Sequence, residues 1–262
     1  MSFTVFTHAE RPDLAESSLW IEPAVWPDYN RHSDILGRYW DRLSPEFGEF
    51  QFVLLDDSTR EVVARGNTVP CYWAGDLESL PDGIDSMAVH AFGLAERHLE
   101  PNALCALAIS IPPQNQSKSL GKVMLGVMRD IAASHGHQSL LAPVRPNWKE
   151  RYPLAPIERY MYWTREDGLP FDPWIRVHYR LGAHFLKPAP RSLRITATVA
   201  EWESRTGLRF PESGTYVFPR GLSTLDIDVE ADVGRYWEPN VWMCHSIQSL
   251  GEGTQSPSNP RT

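Results

Sequence analysis

Residues 103–134 constrain this chain more than any other stretch. Ala103–Ile111 is a continuous apolar run broken only by Ser110, the pattern of a strand covered on both faces. After a short polar loop, Leu120, Val123, Met124, Val127, Met128 and Ile131 recur at helical spacing, forming one apolar face of an α-helix. His135-Gly136 supplies a stop signal, and Ser139–Val144 reads as the next strand. Two strands joined by a crossover helix should lie parallel.

The flanking sequence supplies further sheet. Residues 2–8 alternate weakly. Phe50–Leu55 and Glu61–Val69 form a hairpin pattern across the turn Asp56-Asp57-Ser58. Residues 12–43 are helical in pieces interrupted by Pro23 and Pro27, and Met87–Leu99 carries helical spacing. Further on, Asp172-Pro173 opens a helix with an N-cap and a proline at the first helical position. Strands are expected at 183–186, 193–199, 216–218 and 225–229. The expected fold is α/β or α+β, with a mixed central sheet flanked by helices. One domain is expected over 1–245, with a Gly/Ser/Pro/Gln-rich disordered tail over 246–262.

Composition narrows the function. The formal charge is −8, so a general nucleic-acid surface is not expected. No run approaches the roughly 20 apolar residues that span a bilayer. Cys71, Cys105 and Cys244 are odd in number and widely spaced, against a disulfide framework or a cysteine metal site. The expectation is a cytoplasmic protein without metal.

The loop between the buried strand and the long helix carries the chemistry. Gln116, Ser117, Lys118, Ser119, Gly121 and Lys122 crowd the helix start. Unpaired N–H groups and the helix dipole favour an anion there, small residues let it approach, and the two lysines add positive charge. A P-loop would need glycine at 116 and Ser/Thr at 123, where Gln116 and Val123 stand. A dinucleotide fingerprint would need three glycines, and only Gly121 is present.

The segment resembles the acyl-CoA site of the GNAT N-acetyltransferase superfamily, in which a hydrophobic strand, often with a proline three residues before the key position, leads into Gln/Arg-x-x-Gly-x-Gly/Ala at a helix start. Pro113, Gln116, Ser119 and Gly121 fall on those places, with serine where the pattern has glycine. His178-Tyr179-Arg180-Leu181-Gly182-Ala183 is similar to the family's Tyr-x-x-x-Gly stretch and puts His178 at the tyrosine position. The passage 143–170, after the fifth strand, is an insert atypical of the family.

The resemblance implies a sheet splayed near Val144 and an acyl-CoA, such as acetyl-CoA, as co-substrate. Pantetheine would lie beside Ile109, Ser110 and Ile111, and the pyrophosphate against 116–122. The acceptor would be a small-molecule amine attacking the thioester directly. Carrier-bound donors, thioester hydrolysis or decarboxylation, non-catalytic acyl-CoA binding and a homodimer all stay open. For catalysis the candidates are His178, Tyr179 and Asp85. An unperturbed histidine near pKa 6.5 suits acid–base work, against the alternative of a hydrogen-bonded cleft histidine; Asp85 can equally cap a helix. Arg145, Trp148 and Trp174 are candidate acceptor contacts, and Arg145 can equally be an ion-pair partner.

Overall fold

A computed structural model describes residues 2–247. Strand β1 (Phe3–Thr7) pairs antiparallel with β2 (Phe52–Asp56). Between them lie four short helices: α1 (Pro12–Ser17), α2 (Ile21–Val25), α3 (Gly37–Trp40) and α4 (Leu43–Phe47). Trp26 precedes Pro27 and is extended, with φ −88° and ψ 140°, because a following proline disfavours helical backbone. Helix α2 therefore stops at Val25.

Strand β3 (Val62–Cys71) completes the first hairpin and pairs antiparallel with β4 (Ala103–Ser110), with α5 (Ile84–Glu96) between them in sequence. Helix α6 (Leu120–Ser134) crosses to β5 (Ser139–Val144), which lies parallel to β4. The chain continues through α7 (Ile157–Tyr160), α8 (Pro173–Arg180), β6 (His184–Ala197), α9 (Val199–Thr206), β7 (Gly214–Tyr216), β8 (Leu225–Asp228) and β9 (Val233–Ser246).

One sheet results, in the order β1-β2-β3-β4-β5-β9-β8-β7, with β6 also on β9. Strand β6 follows one edge of β9 from His184↔Cys244 to Ala197↔Gly234. The other edge is shared: β5 takes Val241 to Ser246, and β8 takes Val233 to Tyr236. Residues 237–240 lie in the break between those two neighbours.

The core has two halves, one on each face, as strand alternation requires. Cys105 and Leu107 join Met87, Phe92, Trp202 and Trp242 on the α5 side. Leu104 and Ala106 join Met124, Leu125, Met128 and Met243 on the α6 side.

Three expectations need correction. The two strands expected at 183–186 and 193–199 are one strand, β6, with register shifts between Phe185 and Pro188 and between Ala189 and Leu193. The proline imides at 188 and 190 cannot donate to the ladder. At its end Thr198 forms a capping box with Glu201 and starts α9. Finally, β9 runs through Ser246, inside the span expected to be tail; residues 248–262 lie outside the described residues.

Candidate active site

Strands β4 and β5 pair only through Ala103↔Ser139, Leu104↔Leu140 and Cys105↔Leu141. Beyond that they splay, for two local reasons. On β4, Ala106 pairs with Thr68 and Ala108 with Asn67, so Leu107 is an extra, bulged residue, and a bulge bends its strand. On β5, Pro143 has no N–H to offer a neighbour. The splay leaves the β4 edge from Ala106 onward without a β5 partner among the described residues.

Two cavities open into this gap. The larger, about 600 Å³, runs from Ala106–Ile109 to the start of α6 and is also lined by Gln116, Ser119, Gly121 and Lys122. Ser119 sits at the helix N-cap in left-handed backbone, φ 55°, a conformation that favours glycine. Trp174 closes the wall against Gly121, where an added Cβ would stand 2.9 Å from the indole. The smaller cavity, about 290 Å³, is lined by Glu22, Trp26, Trp40, Asp41, Glu238 and Asn240 among others. Both cavities share Trp26, Leu107, Ala108, Pro143 and Arg145. The Trp26 indole N–H donates to Ser110 Oγ at 2.8 Å and fixes the ring at this junction.

Arg145 and Glu238 anchor the join. Arg145 Nε donates to Glu238 Oε1 at 2.9 Å, and its Nη2 donates to the Arg220 carbonyl at 3.2 Å. Asn30 Nδ2 donates to the same Oε1 at 3.0 Å. Burial works against the Arg145 charge, but Glu238 together with Tyr29 and Tyr236 outweighs it and holds the guanidinium more firmly protonated than usual.

His178 lines the larger cavity, one helical turn after Trp174 on α8. Its Nδ1 lies 3.0 Å from Nε2 of His245 on β9, so one ring donates and the other accepts. Burial first, then His245, lowers the His178 pKa to about 3. Burial also lowers His245, to about 4. The value near 6.5 expected from the residue type is therefore not retained, and both rings are neutral at pH 7.

Helix α8 is set in place by Asp172. Its Oδ1 caps the helix by accepting from the Trp174 and Ile175 N–H groups. Its Oδ2 accepts from the Trp148 N–H at 2.7 Å and the Tyr160 hydroxyl at 3.0 Å, tying the insert to the helix. Asp172→Ala should therefore cost about 3 kcal/mol in a denaturant melt, combining a lost cap with two lost bonds to a buried carboxylate.

The other expected residues divide. Ile109, Ile111, Gln116, Ser119, Gly121, Lys122, Arg145, Trp174 and His178 come together around the larger cavity. Ser110 stands behind it, bonded to Trp26. Ser117 and Lys118 belong to the 3-10 turn Pro113–Lys118, but their side chains lie outside the described residues. Trp148 is not in either lining; its ring meets Phe171 and the Arg151 guanidinium. Tyr179 is 46% exposed and points its ring toward Phe185, away from both linings. Asp85 is buried in the first turn of α5, where its oxygens accept from the Leu36 N–H (3.0 Å) and the Arg194 N–H (2.8 Å). It is a staple between α5, β6 and the loop before α3, and the N-cap position belongs to Gly83.

Sequence reasoning missed Glu22, Trp26, Trp40, Asp41, Glu238, Asn240 and His245. The first four belong to the short helices before β2 and the turns around them, where no long periodicity marks them. Among the described residues no three His, Cys, Asp or Glu side chains gather as a metal site, and no helix is long and apolar enough to cross a membrane.

No protein-family profile matches the chain. The chain is 29% identical over 276 residues to an arginine N-acetyltransferase, avaD, of Aspergillus versicolor, covering 94% of each chain. Among solved structures it is similar to the loading GNATL domain of CurA from Lyngbya majuscula, with TM-score 0.60 and 16% identity over 94% of this chain and 98% of that one. It is also similar to the GphF GNAT-like decarboxylase in complex with isobutyryl-CoA, with TM-score 0.58 and 16% identity over 95% and 100%.

Proposed function

We propose that this chain is a GNAT-type acyltransferase, as its likeness to an arginine N-acetyltransferase and its GNAT-like fold support, and that it moves an acyl group from a coenzyme A thioester to the amine of a small molecule. The observation that carries the reading is the meeting of two cavities at the β4–β5 splay, one suited to the donor and one to an acceptor.

In this reading the first turn of α6 and Lys122 receive the pyrophosphate. The open β4 edge pairs with the pantetheine amides, as a neighbouring strand would. The thioester carbonyl then lies near Leu107 and Ala108, with the acceptor beyond Trp26. The amine nitrogen attacks the carbonyl carbon, a C–N bond forms and the C–S bond breaks. The proton lost by the amine balances the one gained by the departing thiolate. Holding both partners in one gap supplies much of the rate. His178 Nδ1 is committed to His245, which leaves Nε2 for the cavity. A ring neutral across physiological pH is poorly matched to shuttling protons, so His178 acts as a fixed hydrogen-bonding group beside the sulfur.

Calorimetric titration with coenzyme A and acetyl-CoA tests the donor site. Micromolar binding is expected. Gly121→Trp, which drives a side chain into the Trp174 ring, and Lys122→Glu should each weaken it at least tenfold, with a thermal melt checking that each variant is folded. Wild-type protein that binds neither ligand would overturn the assignment. A carrier-fed donor, or hydrolysis or decarboxylation of a thioester, predicts thioester loss with no acceptor present; the second cavity favours transfer.

A further inference from the structure

The smaller cavity contains a polar side chain with nothing to bond to. Asn240 on β9 is 3% exposed and lines this cavity. Its side-chain amide has no hydrogen-bond partner among the described residues, yet neither amide atom is among the wholly occluded unpaired ones. A buried amide left unpaired costs free energy, and here the amide opens onto the cavity. It sits in the break of the β9 edge between β8 and β5, where neither of those strands meets it, while β6 pairs with it on the opposite edge through Ala189.

The remaining walls have a definite charge pattern. Glu238 is already occupied by Arg145 and Asn30. Glu22 accepts the Trp40 indole N–H at 2.9 Å through Oε2, and its Oε1 stays 3.6 Å from Arg65 Nε, too long for a hydrogen bond. Asp41 has no bonded partner and stands exposed at the rim. Arg31 on the lining is engaged by Asp28 at 2.6 Å. Acceptor oxygens are thus left over on Glu22, Asp41 and Asn240, between the indoles of Trp26 and Trp40. A guanidinium offers a planar fork of N–H donors and stacks on aromatic rings.

We propose that this cavity is the acceptor subsite and that it takes an amine bearing a second, cationic group, a guanidinium above all, held by Glu22, Asp41 and Asn240. The proposal rests on the reading of the larger cavity as the donor site. The amine to be acylated then faces the junction at Leu107, Ala108 and Pro143, and the cation lies outward toward Asp41.

The test is calorimetric binding of L-arginine, agmatine and L-citrulline to full-length protein, with coenzyme A binding measured separately. Arginine and agmatine should bind at least tenfold more tightly than citrulline, which replaces the guanidinium with a neutral urea. Asp41→Asn, at an exposed position that puts the fold at little risk, should narrow that ratio about threefold or more. Asn240→Leu should weaken both cationic ligands at least tenfold while raising the melting temperature, because it removes an unpaired buried amide; a purely structural asparagine would not give that opposition. Coenzyme A binding together with equal affinity for arginine and citrulline would overturn the subsite and leave the donor reading standing. Absence of coenzyme A binding would overturn the donor reading instead, whatever the acceptors do.

Discussion

Replacing Arg145 with alanine should destabilise the protein by about 3–5 kcal/mol, the range for removing one partner of a buried ion pair. Glu238 is 3% exposed and leans on Arg145 Nε, with Asn30 Nδ2 beside it and a longer contact to the Tyr236 hydroxyl at 3.3 Å. Without the guanidinium its charge would be left desolvated in the break of β9. The carbonyl of Arg220 would lose a donor as well. Replacing both partners, as Arg145→Met with Glu238→Leu, should recover most of the loss, because no charge then stays buried. Urea unfolding of the two variants distinguishes the cases. A cost below about 1 kcal/mol for the single variant would mean that Glu238 is hydrated and the pair contributes as little as a surface one. Neither variant should transfer an acyl group well, since Arg145 lines both cavities.

The second large effect is acid sensitivity. His178 and His245 have folded-state pKa values of about 3 and about 4 against an ordinary 6.5, both mainly through burial. A depressed histidine pKa means that the unfolded chain binds more protons. Stability is therefore complete above pH 6.5 and falls as the pH drops toward the folded values. Between pH 7 and pH 5 each of the two should remove about 2 kcal/mol. His8, also near 4 through burial and then Arg65, acts in the same direction. Urea melts across this range should show the loss, and the double variant His178→Phe with His245→Leu should show a shallower slope. An unchanged slope in the double variant would mean that the pair titrates normally in the folded protein. The kcat profile should show no ionisation belonging to His178 between pH 5 and 8.

What the sequence made legible was local. The apolar run of β4 and the spacing of α6 depend on neighbours a few residues away, and both formed where expected. The parallel crossover followed from them, and the splay was implied by the family resemblance of the loop between them. Strand β9 was not legible, because Glu238, Pro239 and Asn240 interrupt its apolar pattern with a charge, a proline and an amide. Glu238, Asn240 and His245 are buried in it all the same, each through a partner or cavity supplied by distant chain. The polar residues that disguised the strand are those that furnish the site. Asp85 was ambiguous in a different way: its position suited a catalytic group or a helix cap, yet its oxygens answer two backbone N–H groups on other elements, one of them 109 residues away.

The sharing of β9 among three strands also sets an order of assembly. Its residues come last among the described strands, and its partners β5, β6 and β8 must wait for it. The hairpin β2–β3 and the unit from β4 to β5 can form while later residues are still being made. Until Val233–Ser246 arrives, β5 presents an unpaired edge beside an open gap, the kind of edge that recruits other chains. Pairing across such long sequence separations is slow. The late strand that carries Glu238, Asn240 and His245 thus closes the sheet and completes the smaller cavity in one step, so a nascent chain has no half-built acceptor site before its fold is secured.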